Sequence, residues 1–224
     1  INTCTVTHVA YRKARQAVRA ALKANSSLSV VITGCYAERE AQELSAIPGV
    51  TAVIGNSAKA DMATELSRLG IMPDTESIHT NNPRTRSLIK ILDGCDHNCA
   101  YCIVPLVRPV KSCAPARTVI EEITRRQAEG YREVVLTGTE IGEYQDNGLD
   151  LIGLLRCVLE ETSIERIRVS SLQPREITPA LLELWQDRRL CRHFHLSLQS
   201  GSDAVLRRMR RRYTTADYSR AVNL

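Results

Sequence analysis

Three cysteines within eight residues, in the run CDHNCAYC at positions 95–102, carry the strongest chemical signal in this 224-residue chain. Cys95, Cys99 and Cys102 stand in a CxxxCxxC spacing, short enough for one loop to aim three sulfurs at one point. Soft thiolates favour an iron–sulfur cluster or zinc. Structural zinc wants a fourth protein ligand, and His97, inside the loop, is poorly placed to join cysteines only a few residues away. A [4Fe–4S] cube suits the spacing better, because three thiolates hold three irons and leave one iron open to a substrate or cofactor. Chance co-occurrence of thiols is the bland alternative.

A loop of this kind needs rigid elements around it, and the hydrophobic periodicity supplies them. Residues 1–7 read as a strand end with its loop, and Thr7 can cap a helix over 8–24. A buried strand over 29–33, a helix over 37–46, a strand over 50–54 and a helix over 59–69 follow. Strands alternating with helices imply a parallel sheet, so residues 1–69 form a small α/β domain. The run GIMPDTESIHTNNPRTR, 70–86, has no periodicity and reads as a linker. Strands at 88–92, 133–137, 165–170 and 194–198 then alternate with helices at 117–129, 149–161, 179–187 and from 203. Four strand–helix pairs over 87–224 predict a partial (β/α) barrel, whose function sits on the loops after strand C-termini. The cysteine loop follows the first of those strands. The expected fold class is therefore α/β, a small parallel N-terminal domain followed by a partial barrel.

Thirty basic against 25 acidic residues give a net charge of +5, which tolerates a nucleic-acid partner without demanding one. Eight cysteines are too sparse for a disulfide-stapled secreted scaffold. No apolar run approaches the roughly 18 residues of a membrane helix, and the start lacks a signal-peptide pattern. A cytoplasmic protein is expected, with thiols used for metal or catalysis. Both ends read as cut, since Ile1 opens inside a strand-like run and Leu224 lies inside a helical pattern.

With these motifs in hand the chain resembles a known superfamily. A CxxxCxxC loop after the first barrel strand, with Tyr101 just before the last cysteine, is similar to the radical S-adenosylmethionine (SAM) enzymes. The resemblance implies that the open iron binds the methionyl amino and carboxylate groups of SAM, and that one-electron reduction yields a 5′-deoxyadenosyl radical that abstracts hydrogen. Tyr101 would lie against the adenine, or else is a packed loop aromatic. LTGTEIG at 136–142 corresponds to the segment that meets the SAM amino group, naming Gly138, Thr139 and Glu140, although an ordinary βα loop would also be glycine-rich. Ser171 and Gln173, in SSLQP, are further cofactor candidates, and Gln199 stands where the superfamily's fourth strand ends near SAM.

The likeness narrows to the methylthiotransferases. NTC at 2–4 and TGCYAE at 33–38 resemble their N-terminal domain, and HFHLSLQSGSDAVLRRMRRRYT at 193–214 resembles their HLPLQSGSD…L…M.R.YT signature. In that family three cysteines hold an auxiliary [4Fe–4S] cluster. Cys4 and Cys35 match two of them, and the first would precede Ile1. From spacing alone these two prove nothing, and a buried free cysteine is the commoner fate. Both follow expected strands of one sheet and so could approach each other.

INTCTVTHVAYRKARQAVR, VVITGCYAE and RTRSLIKILDGCDHNCAYCIVP look most like the branch acting on N6-threonylcarbamoyladenosine beside the tRNA anticodon. The isopentenyladenosine branch and the branch acting on a ribosomal-protein Asp are the runners-up, and a non-catalytic iron–sulfur or zinc module is the alternative from another class. The chain departs from the family after CIVP, with Arg108-Pro109 and then Lys111-Ser112-Cys113 where an Arg-Gly pair and a basic stretch are usual. The resemblance implies two [4Fe–4S] clusters and SAM, a tRNA substrate, an electron donor such as a flavodoxin or ferredoxin, a monomer, and no membrane. It also implies that residues 1–224 alone are inactive.

Five arginines in six positions, 207, 208, 210, 211 and 212, suit phosphate, but most are expected on a solvated helix face. Cys157 falls on an apolar face and is read as core. His193 and His195 are read as packed or hydrogen-bonded, and Cys113 and Cys191 have no assigned role.

Overall fold

The computed structural model describes residues 1–5, 7–25, 27–71 and 85–224. It divides into two units, Ile1–Thr80 with Cys102–Pro109, and Asn81–Tyr101 with Val110–Leu224. Most of the segment expected as a linker, residues 72–84, lies outside the described residues.

In the first unit, β1 (Asn2–Thr3), α1 (His8–Ala24), β2 (Val30–Gly34), α2 (Cys35–Arg39), α3 (Ala41–Ser45), β3 (Val50–Ile54) and α4 (Met62–Arg68) follow in order. The strands form a parallel sheet in the order β1-β2-β3. Thr7 Oγ1 accepts the Ala10 N–H at 3.1 Å and starts α1, as expected from the sequence. Helical spacing then puts Ala14 and Val18 on one buried face, where they join Val30, Ile32, Tyr36, Ala37 and Leu44.

The single helix expected over 37–46 is two. Glu40 leaves helical range (φ −127°, ψ 45°), ending α2 and starting α3. Glu is a good helix former, so nothing in local propensity marks that break. The helix expected from residue 59 begins as a 3₁₀ turn, Lys59–Asp61, before α4. The first unit also includes α5 (Val104–Val107), a helix too short for periodicity to reveal.

The second unit continues with β4 (Arg86–Asp93), β5 (Ser112–Cys113), α6 (Ala116–Ala128), β6 (Glu133–Gly138), α7 (Leu151–Glu161) and β7 (Arg166–Val169). It ends with β8 (Ser171–Leu172), α8 (Pro179–Glu183), β9 (His195–Leu196), α9 (Asp203–Arg208) and α10 (Thr215–Val222). Strands β4, β6 and β7 are parallel neighbours, β5 pairs antiparallel on the outer edge of β4, and β8 pairs parallel with β9. This is the α/β class and partial barrel read from the sequence.

Alternation along β4 buries Ser87, Ile89 and Ile91 and leaves Leu88 69% exposed. The buried face meets the stripes of α6 (Val119, Ile120, Ile123) and α7 (Leu151, Leu154, Leu155, Val158) in one core. The start of β6 is tied by charge, because Glu133 is buried beside Arg86 (2.7 Å), Arg166 (3.1 Å) and Arg168 (3.1 Å). Cys157 packs against the core at partial burial, and His195 Nδ1 lies 2.6 Å from Ser171 Oγ.

Candidate active site

Gly94 turns β4 into the cysteine loop. Its backbone is left-handed (φ 76°), and a Cβ would run into the Val110 carbonyl, so glycine is required. Cys95 follows buried, and Cys99 and Cys102 are partly buried. The His97 N–H donates to Cys95 Sγ at 3.4 Å, folding the loop back on its first thiol. Cys95 and Cys99 belong to the second unit, whereas Cys102 opens the segment grouped with the first.

His97 is only 4% exposed. Its Nε2 lies 3.0 Å from Glu143 Oε1, 3.2 Å from Arg212 and 3.5 Å from Arg175. Glu143 also accepts hydrogen bonds from Lys111 Nζ (2.7 Å) and from the Arg175 guanidinium. Burial works to raise the Glu143 pKa, but the Lys111 hydrogen bond, then His97, hold it down at about 2. An ionised carboxylate thus anchors the histidine that spaces the first two cysteines.

The next strand ends close around this loop. A Cβ at Gly138 would meet Leu92 O at 2.5 Å, so glycine allows the C-terminal ends of β4 and β6 to stay close. Thr139 Oγ1 donates to Gly94 O. Glu140 accepts from Gln173 Nε2, and Gln173 is 5% exposed with its N–H on Glu176 Oε2 at 2.8 Å. Burial, then the hydrogen bond to Glu140, push the Glu176 carboxyl well above the usual carboxylate range. Gly142 makes room for it, since a Cβ there would collide with the Glu176 carboxyl group.

The structure thus joins Cys95, Thr139, Glu140 and Gln173 through Gly94, Gly138 and His97. Of the other candidates, Ser171 pairs with His195 across β8–β9, Gln199 is exposed with a left-handed backbone (φ 60°), and Tyr101 is 52% exposed.

In the first unit, β1 and β2 pair in the register Thr3↔Gly34, so Cys4 and Cys35 step off neighbouring strand ends. Gly34 (φ 103°) permits the approach, because a Cβ would strike Thr3 O and lie 2.6 Å from Asn2 Oδ1. Cys4 is exposed and Cys35 buried. Asn56 Nδ2 reaches Cys35 Sγ (3.6 Å) and Val107 O (2.8 Å).

Cys95 and Cys99, on one glycine-hinged loop at the C-terminal end of a parallel strand, offer soft thiol donors of the kind an iron–sulfur cluster takes. Cys95, His97 and Glu140 also bring ligand atoms within 4.8 Å of one another, a mixed set that zinc would accept. Sequence reasoning weighed His97 only as a ligand and missed Glu143, Asn56 and the inward turn of Arg211. Lys111 was noted only as a departure from the family pattern, and its position beside Cys113 was the available signal.

Fold and thiol loop together define a class. Residues 89–224 match the Radical SAM superfamily, and residues 1–55 match the uncharacterized protein family UPF0004. The chain belongs to the radical SAM superfamily, whose members use S-adenosylmethionine with a [4Fe–4S] cluster.

Among its relatives is the threonylcarbamoyladenosine tRNA methylthiotransferase MtaB of Chlamydia pneumoniae, 35% identical over 97% of this chain and 52% of that protein. The protein of the same name from Bacillus subtilis is 32% identical over 100% of this chain and 54% of its own length. A putative methylthiotransferase of Helicobacter pylori strain 26695 is 34% identical over 96% and 54%. The chain spans about half the length of the curated relatives it matches. In fold it is similar to the radical S-adenosylmethionine methyltransferase TsrM of Kitasatospora setae, solved with tryptophan and a SAM analogue. The TM-score is 0.63 at 17% identity, covering 87% of this chain and 47% of that one. Among the described residues no helix is long and apolar enough to cross a membrane.

Proposed function

We propose that this chain carries the cluster-binding part of an enzyme that transfers a methylthio group to N6-threonylcarbamoyladenosine in tRNA. The observation that carries the reading is the presence of two separate thiol sets at parallel strand ends, Cys4 with Cys35 and Cys95 with its loop. The names of the relatives supply the substrate. Residues 1–69 would serve as the sulfur-handling domain, 70–86 as a linker and 87–224 as the radical SAM core.

Cys95, Cys99 and Cys102 would hold the SAM-binding [4Fe–4S] cluster, and Cys4 and Cys35 would contribute to a second one. When bound, the first cluster supplies the single electron that cleaves SAM. The chain's own residues supply position. The Glu140 carboxylate, fixed by Gln173, would accept hydrogen bonds from the SAM ammonium beside the open backbone at Gly138 and Thr139. Tyr101 would cover the adenine from its exposed place on the loop, with Ser171 and Gln199 as outlying SAM contacts. His97 and Glu143 keep the loop in one conformation, as outer partners do in other metal sites. We take the partners to be tRNA and a flavodoxin- or ferredoxin-like donor, acting on a cytoplasmic monomer.

The test is nucleoside mass spectrometry of tRNA from a host lacking its own methylthiotransferases and expressing the full-length protein. Methylthiolated threonylcarbamoyladenosine is expected. Methylthiolated isopentenyladenosine, or a modified ribosomal-protein aspartate with unmodified tRNA, would overturn the substrate assignment.

A further inference from the structure

The five-arginine run does not behave as one surface. Arg207, Arg208, Arg210 and Arg212 are exposed, but Arg211 turns inward after Arg210 adopts a left-handed backbone (φ 57°). The segment after α9 then touches the cysteine loop at three points. Ala100 N–H donates to Met209 O (3.1 Å), Arg212 Nη1 lies 3.2 Å from His97 Nε2, and Arg211 Nη1 donates to Cys99 Sγ (3.3 Å).

The Arg211 guanidinium also lies 4.9 Å over the ring of Tyr213, which is 4% exposed and whose hydroxyl donates to Ser197 O and, at 3.0 Å, to Leu198 O. Arg211 Nε is buried without a hydrogen-bond partner among the described residues. A buried cation is costly unless an anion faces it. Among the described residues no carboxylate forms an ion pair with Arg211, and the group it points at is a cysteine sulfur.

We propose that Arg211 is a positioning residue whose guanidinium hydrogen-bonds the Cys99 thiolate and raises the reduction potential of the cluster on Cys95, Cys99 and Cys102. The inference rests on the reading of that loop as a [4Fe–4S] site. Hydrogen bonds to the sulfurs and local charge set such potentials, and reduction adds one negative charge beside a fixed positive one. The electron comes from an external low-potential donor. No bond is made or broken, and Arg211 stays protonated throughout.

The experiment uses full-length protein, reconstituted anaerobically, in a Cys35→Ala background so that the loop's cluster alone is titrated. Iron content and the EPR midpoint potential are measured for Arg211→Met, Arg211→Lys and, as an exposed control, Arg207→Met. Arg211→Met should retain iron yet have a reduced-to-oxidised ratio about tenfold lower at a given dithionite potential, equivalent to 59 mV for one electron. Arg211→Lys should shift less in the same direction, and Arg207→Met should not shift. If Arg211→Met fails to fold, the Arg211→Lys titration decides, and an unchanged midpoint there contradicts the proposal. Equal midpoints in iron-loaded Arg211→Met and its parent would overturn it outright. Failure of the parent to take up iron would instead refute the cluster reading.

Discussion

The two units each present thiols at the ends of parallel strands, but they fix them by different means. In the second, Cys95 and Cys99 sit on one loop held from several sides, by Gly94 at its hinge, His97 and Glu143 beneath it, and Arg211 against a sulfur. In the first, Cys4 and Cys35 are 31 residues apart along the chain and step off strand ends that the pairing of β1 with β2 sets side by side. One arrangement is carried by side chains, the other by backbone register. A local contact network tolerates a poor neighbour better than a two-residue strand does. The first pair should therefore be the more fragile.

Substitution at the hinges gives the largest expected effects. Gly94→Ala forces a left-handed alanine into the Val110 carbonyl, and Gly34→Ala does the same against Thr3. Each should lower stability by roughly 2 kcal/mol or more. If each thiol set holds one cluster, as proposed, iron measured per chain after reconstitution should fall by half in either variant. Loss of both clusters from Gly34→Ala would mean that the two sets are not independent.

Acid should separate the units next. Glu143 is depressed to about 2 from an ordinary 4.5. A depressed carboxyl stabilises the fold above its unfolded pKa, and that contribution is lost as pH falls from about 4.5 toward 2. Glu143→Gln should cost roughly 2–3 kcal/mol at pH 7 and flatten the acid limb of the stability profile. In the first unit Glu43 is also lowered, first by the Tyr11 hydrogen bond, but it is more exposed, so Glu43→Gln should give a smaller loss over the same acid range. Chemical denaturation from pH 2.5 to 7 checks both, and equal losses would remove this distinction.

The smallest effect is expected at Asn56. Asn56→Ala removes the hydrogen bond to Val107 O and the contact with Cys35 Sγ, at about 1 kcal/mol. Its readout is iron retention in air, which should shorten for the cluster proposed on Cys4 and Cys35 and not for the one proposed on the loop.

How much of this was legible in the sequence follows the same divide. The cysteine loop could be read directly because its three thiols lie within eight residues, and β3 and α1 were legible to the residue because their periodicity is clean. The break at Glu40 and the two-residue strands β5 and β8 left no periodic trace, since they depend on tertiary pairing. Most of the arginine run is exposed, as its composition suggests, but a composition run cannot show that Arg210 reverses the backbone and turns Arg211 inward. His97 and Glu143 are 46 residues apart, and only the adjacency of β4 and β6 brings them together.

The central claim is a division of labour between the two thiol sets, and one paired measurement tests it. Full-length Cys35→Ala and Cys102→Ala proteins, supplied with SAM, reductant and unmodified tRNA, are assayed by mass spectrometry for 5′-deoxyadenosine and methylthiolated nucleoside. The account predicts that Cys35→Ala still forms 5′-deoxyadenosine but installs no sulfur, and that Cys102→Ala does neither, because loss of a ligand removes the open iron. Normal methylthio product from Cys35→Ala would contradict it and reduce Cys4 and Cys35 to structural thiols.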